Sequence, residues 1–168
     1  VKIDSFAYLP VQDFGNAFST FTAQNYGAGQ SSRIKEALKK ATILSAAFSS
    51  AAAAAVFIFA EPLMRIFVSA SETEVIAAGV RYLHIEGVFY AGIGCLFLLY
   101  GFYRAVEKPG MSVVLTVISL GTRVLLAYLL AGIIGETGIW ISVPIGWLLA
   151  DITGYGYCIL KRKRLFSD

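Results

Sequence analysis

Charge is what this sequence has least of. Lysine and arginine supply 14 residues and aspartate and glutamate 11 of 168, so 15% of the chain is charged, against about 25% in soluble domains. The net charge of +3 is small. The basic residues stand at the ends of apolar segments and form no patch, so nucleic-acid binding is not indicated. Histidine occurs once, at His84, and cysteine only at Cys95 and Cys158. These lie far apart in apolar surroundings, which gives no metal-ligand spacing and no reason to expect a disulfide. No glycine-rich phosphate loop, nucleophile elbow or zinc motif occurs. These absences leave no catalytic residue, metal site or cofactor to assign.

Long apolar runs are what the chain has instead. Residues 41–60, 87–103 and 14–32 are uncharged, 111–135 carry only Arg123, and 137–160 carry only Asp151. A helix crosses the hydrocarbon core with about 20 mostly apolar residues. The expected fold is therefore an all-α membrane protein with about five transmembrane helices, at residues 6–26, 40–60, 80–102, 111–133 and 137–160. Glycine, proline or serine marks each break, as in GAGQSS, AEP, EKPG and IIGETG. The stretch AEPLMRIFVSASE reads as a surface connection with a few anchoring apolar residues, or as a short amphipathic segment started by Pro62.

Basic residues set the expected orientation. One set of span ends holds Arg33, Lys35, Lys39, Lys40, Arg104, Lys108, Lys161, Arg162, Lys163 and Arg164; the opposite ends hold only Lys2, Arg65 and Arg81. Positive charge is retained in the cytoplasm, so the C-terminus should be cytoplasmic and Val1 external. The first segment shows no short apolar core followed by a cleavage site, so it does not read as a signal peptide, and the expectation is a piece of a longer chain.

The first span carries an unusual amount of hydrogen-bonding chemistry, in QDFGNAFSTFTAQNYGAG. At about 100° per residue, Phe14, Phe18 and Phe21 fall in one sector about 60° wide, and Asp13, Asn16, Thr20 and Gln24 in another about 80° wide. Unpaired polar groups are costly in hydrocarbon. The polar face should therefore meet other helices or a wet cavity, and the phenylalanine face lipid or the packed interior. Asn16 and Gln24 could serve as interhelical glue, whereas the ionisable Asp13 points to a cavity. Pro10 stands where it weakens the helix one turn before Asp13. Arg123 and Asp151 lie near mid-span, and an ion pair of Arg123 with Asp151 or Asp13 would neutralise them. His84 and Glu86 should sit near an end, snorkelling or pairing with Arg81. Tyrosine and tryptophan, including Tyr82, Tyr90, Trp140 and Trp147, read as interface belts or packing.

Three stretches resemble the multidrug and toxic compound extrusion (MATE) transporters, in particular the bacterial members. KIDSFAYLPVQDFGNAFSTFTAQNYGAGQSSRIKEA resembles the second helix of a lobe, with Pro10, the small run Gly15-Asn16-Ala17, Gln24 to Gly29, and Arg33. GFYRAVEKPGMSVVLTVISLGTRV is similar to a cytoplasmic turn with a proline opening the next helix. GIWISVPIGWLLADITGYGY resembles a final helix. The resemblance implies twelve helices in two six-helix lobes, of which residues 1–168 would be helices eight to twelve: a C-terminal lobe lacking its first helix, partnered by the N-terminal lobe of the same transporter. It implies an antiporter in the bacterial inner membrane that exports drugs or other organic, often cationic, compounds in exchange for Na⁺ or H⁺ by rocking of the lobes. Asp13, Asn16, Thr20 and Gln24 would line the substrate cavity, and Arg123 and Asp151 would be ion-pair or coupling residues. Members with a cation site in this lobe use an acidic residue on its fourth helix, where this reading finds Arg123 and no acid. The alternatives are a related flippase for lipid-linked sugars and a membrane subunit that transports nothing.

Overall fold

The computed structural model describes residues 2–161 and 165. Val1 and the basic Arg162, Lys163 and Arg164 used above to orient the chain lie outside the described residues. Six helices follow one another: α1 (Lys2–Gly27), α2 (Ser31–Phe67), α3 (Thr73–Gly87), α4 (Tyr90–Ala105), α5 (Pro109–Ile134) and α6 (Glu136–Leu160). By length and composition, α2, α5 and α6 can each cross a bilayer, and α3 with α4, bent by 53° at their junction, makes a fourth crossing. The fifth expected span, α1, has the length at 26 residues but falls outside that apolar set, consistent with its polar face. The chain is a multi-pass helical membrane protein.

The central element is α4. Leu96, Leu98, Leu99, Phe102 and Tyr103 are all at most 1% exposed, so this helix is apolar and covered on every side. It packs against α1, α2, α5 and α6. By contrast α5 buries only Leu115 and Ser119. It presents Val113, Val117, Leu125 and Ile133 outward, the face expected to meet lipid. Helix association in a bilayer depends on close packing more than on leaving water, and the α1–α4 contact shows it. A Cβ on Gly101 would stand 2.5 Å from the Gly15 carbonyl oxygen. The Ser19 hydroxyl donates to the Gly101 carbonyl at 2.9 Å across the same contact.

Two breaks bear on the sequence expectation. Helix α2 runs through residues 60–67 with a kink at Phe59 (φ −103°, ψ 16°). Pro62 cannot donate to the carbonyl four residues back and crowds it. AEPLMRIF is therefore helical, set off from the rest of α2 by the kink at Phe59, which fits the short helical segment expected at Pro62 and not a loop. The expected third span is two helices, because the chain leaves helical geometry after Gly87 and restarts at Tyr90. Pro10 leaves α1 as one continuous helix. Tight turns close the remaining links. Gly29 (φ 66°) follows α1, with the Gln30 amide donating to the Asn25 carbonyl at 2.8 Å, and Gly135 (φ 63°) alone joins α5 to α6. Both positions have the left-handed backbone that glycine adopts without strain.

Candidate functional site: a polar cleft and an exposed stripe

Five helices converge on a cleft of about 600 Å³. From α1 it receives Asp4, Tyr8 and Gln12, from α3 Tyr82 and Glu86, from α4 Tyr90, Ile93 and Phe97, from α5 Arg123, and from α6 Trp140, Val143 and Trp147. Helical spacing explains the first sets: Asp4, Tyr8 and Gln12 recur every four residues, as do Tyr82, Glu86 and Tyr90 across the break. Asp4, 5% exposed, accepts a hydrogen bond from the Tyr90 hydroxyl at 2.6 Å and one from the Tyr82 hydroxyl at 3.0 Å. Glu86 is 3% exposed, and its Oε1 is buried with no hydrogen-bond partner among the described residues. The Arg123 Nε is likewise buried and unpartnered.

This arrangement corrects several expectations. Arg123 pairs with neither Asp151 nor Asp13; it lines the cleft that holds Asp4 and Glu86. Position 123 on α5 looks toward α1 and α3, whereas Asp151 on α6 lies against α4, with Oδ2 3.6 Å from where a Cβ on Gly92 would stand. Glu86 neither snorkels nor meets Arg81, because Arg81 bridges to Glu136 at 3.1 Å. His84 stacks on Phe57 with ring centroids 4.0 Å apart, its Nε2 3.1 Å from the Phe57 carbonyl oxygen. Tyr82 and Tyr90 are packing residues, in keeping with the packing alternative, and their hydroxyls donate to Asp4.

The stripe on α1 lies elsewhere. Asp13, Asn16, Thr20 and Gln24 are all exposed, while Phe18 on the opposite side is in the core and Phe14 packs against it. Asp13 makes no hydrogen bond or ion pair among the described residues. The Thr20 hydroxyl donates to the Asn16 carbonyl, and the Asn16 side-chain oxygen accepts from Arg104 at 3.2 Å. Gln12, Asn16, Tyr100, Arg104, Ser112 and Thr116 line a second, smaller polar recess of about 280 Å³.

The sequence and the fold have recognised relatives. A family model described as MatE matches residues 1–129. The chain belongs to the MatE family. Among MatE-like relatives, the probable multidrug resistance protein YpnP of Bacillus subtilis is 28% identical over 99% of this chain and 38% of its own length. A protein named FAD transporter from Shewanella oneidensis is 27% identical over 92% of this chain and 34% of its own. This MatE chain thus spans little more than a third of those relatives. An inward-facing and an outward-facing structure of a multidrug resistance MATE family transporter match its fold with TM-scores of 0.89 and 0.92. They cover 98% and 99% of this chain, and 38% of each of theirs, at 21% and 20% identity.

Proposed function

We propose that the chain is most of one lobe of a two-lobe secondary antiporter that exports organic compounds in exchange for Na⁺ or H⁺. The observation that carries this reading is the exposed stripe on α1. A membrane helix that buries Phe18 and turns Asp13, Asn16, Thr20 and Gln24 outward needs water or a polar partner on that side. A central cavity shared with a second lobe supplies both. A fold that overlays an inward-facing and an outward-facing transporter nearly equally well suits a unit that rocks as a rigid body.

In this reading residues 1–168 are helices eight to twelve, and the partner is the N-terminal lobe of the same transporter. The protein lies in the bacterial inner membrane with its C-terminus in the cytoplasm, and it transports without catalysing a reaction. The stripe contacts substrate. The cleft acids Asp4 and Glu86 attract the coupling cation, and Arg123 competes with it for them. Relatives named for multidrug resistance and for FAD support an organic substrate. A second reading, export of lipid-linked sugars, draws on Arg104 and Arg123, the basic side chains that line the two recesses.

The test is efflux of a fluorescent aromatic cation from proteoliposomes holding the full-length protein, with a Na⁺ or an H⁺ gradient imposed. Gradient-driven efflux is expected, reduced on the order of tenfold by Asp13→Asn and by Glu86→Gln. Efflux indifferent to both substitutions would remove stripe and cleft from the cycle. No efflux under either gradient would favour the sugar-lipid reading.

A further inference from the structure

Asp151 lies outside the cleft. It is 9% exposed, and its Oδ1 is buried without a hydrogen-bond partner among the described residues. One helical turn earlier on α6, Trp147 lines the cleft, and both side chains pack on α4 at Gly92, where a Cβ would stand 3.6 Å from Asp151 Oδ2 and 3.8 Å from Trp147 Cβ. The groups around the carboxyl are neutral. Cys95 of α4 and Tyr155 of its own helix lie close enough to act on it electrostatically, and the Tyr155 hydroxyl shares a 2.9 Å hydrogen bond with Thr42 of α2. On either side of it α5 offers Leu115 against Gly154 and the Ser119 backbone against Gly146. From α3, Tyr82 packs on Trp140 and Arg81 bridges to Glu136, both at the start of α6. No lysine or arginine among the described residues pairs with Asp151.

An ionised carboxylate in such a place lacks both solvent and counter-charge, which is the expensive state of the group. A metal ion does not fit. Monovalent and divalent hard cations need several oxygen donors, and the neighbours here are one thiol and a phenol already bound to Thr42. Among the described residues no group of three or more His, Cys, Asp or Glu could hold a metal. The adjoining α2–α4 contact is polar as well: the Ser45 and Ser49 hydroxyls are buried and unpartnered, each 2.7 Å from where a Cβ on Gly94 would lie.

We propose that Asp151 is a proton-binding site of this lobe, distinct from the cleft and reached from it past Trp147. The proton is taken from cleft water onto the carboxylate and returned to water; no other bond forms or breaks. Binding is a property of the lobe and stands apart from the transport reading.

Infrared difference spectroscopy on the full-length protein in lipid nanodiscs tests this without any substrate. Wild type minus Asp151→Asn at neutral pH should show the loss of one protonated-carboxyl C=O band that shifts in D₂O. Asp151→Glu should move that band without abolishing it, and gives the same test should the asparagine variant fail to assemble. A difference spectrum containing only ionised-carboxylate bands would overturn the proposal. Because no transport is read, that result would leave the antiporter reading standing, and a failure of efflux would leave the band intact.

Discussion

Asp4 and Asp151 are both carboxyls buried in the same bundle, at 5% and 9% exposure, and they are held in opposite ways. Asp4 is gripped by two tyrosine hydroxyls beside a cleft that also carries Glu86 and Arg123. Asp151 sits among a thiol, a phenol and bare helix backbone, with one oxygen unsatisfied. Burial alone therefore says little about what an intramembrane acid does; its partners decide. A carboxyl with dedicated donors is a fixed element of the structure, and removing it strands those donors. A carboxyl without them can be neutralised at little structural cost, and its use lies in gaining and losing charge.

This contrast can be broken by substitution. The largest effect is expected from Asp4→Ala, which leaves the Tyr82 and Tyr90 hydroxyls facing an empty site. It should lower stability by about 3 kcal/mol, read as a fall in the thermal unfolding temperature of the purified protein. Tyr90→Phe removes only the 2.6 Å donor and should cost about 1–2 kcal/mol. Tyr155→Phe, its counterpart beside Asp151, loses the bond to Thr42 and should cost about 0.5–1 kcal/mol. Asp151→Asn should lie within about 1 kcal/mol of wild type in the same assay, since it removes a charge that has no partner. If it destabilises as much as Asp4→Ala, the distinction between the two sites fails. A control outside both sites comes last. Glu107 holds a left-handed backbone at φ 57°, so Glu107→Gly should raise stability by about 0.5–1 kcal/mol.

The sequence alone supported the membrane class and the two-sided character of α1, because those depend on composition and on the periodicity of a single helix. Phe18 in the core and Asn16 outside it follow from one wheel. Pairing between helices was not legible in the same way. A wheel gives no rotation relative to a neighbour, so it leaves Asp151 and Asp13 open as partners of Arg123, which instead faces the cleft. Asp4 was missed because the span was started at residue 6, as if helix and apolar run began together. Its signal was present in the four-residue recurrence of Asp4, Tyr8 and Gln12, and in that of Tyr82, Glu86 and Tyr90. The break in the third span was not legible, since hydropathy does not register a bend.

The central claim is that the α1 stripe faces water. Single cysteines at Asn16, Thr20 and Phe18, introduced into the full-length protein with Cys95 and Cys158 replaced by alanine, would be challenged with a membrane-impermeant thiol reagent. The account predicts that the cysteines at positions 16 and 20 are modified while the one at 18 is protected. Protection at all three positions would mean that the stripe is helix glue and that no wet cavity lies against it.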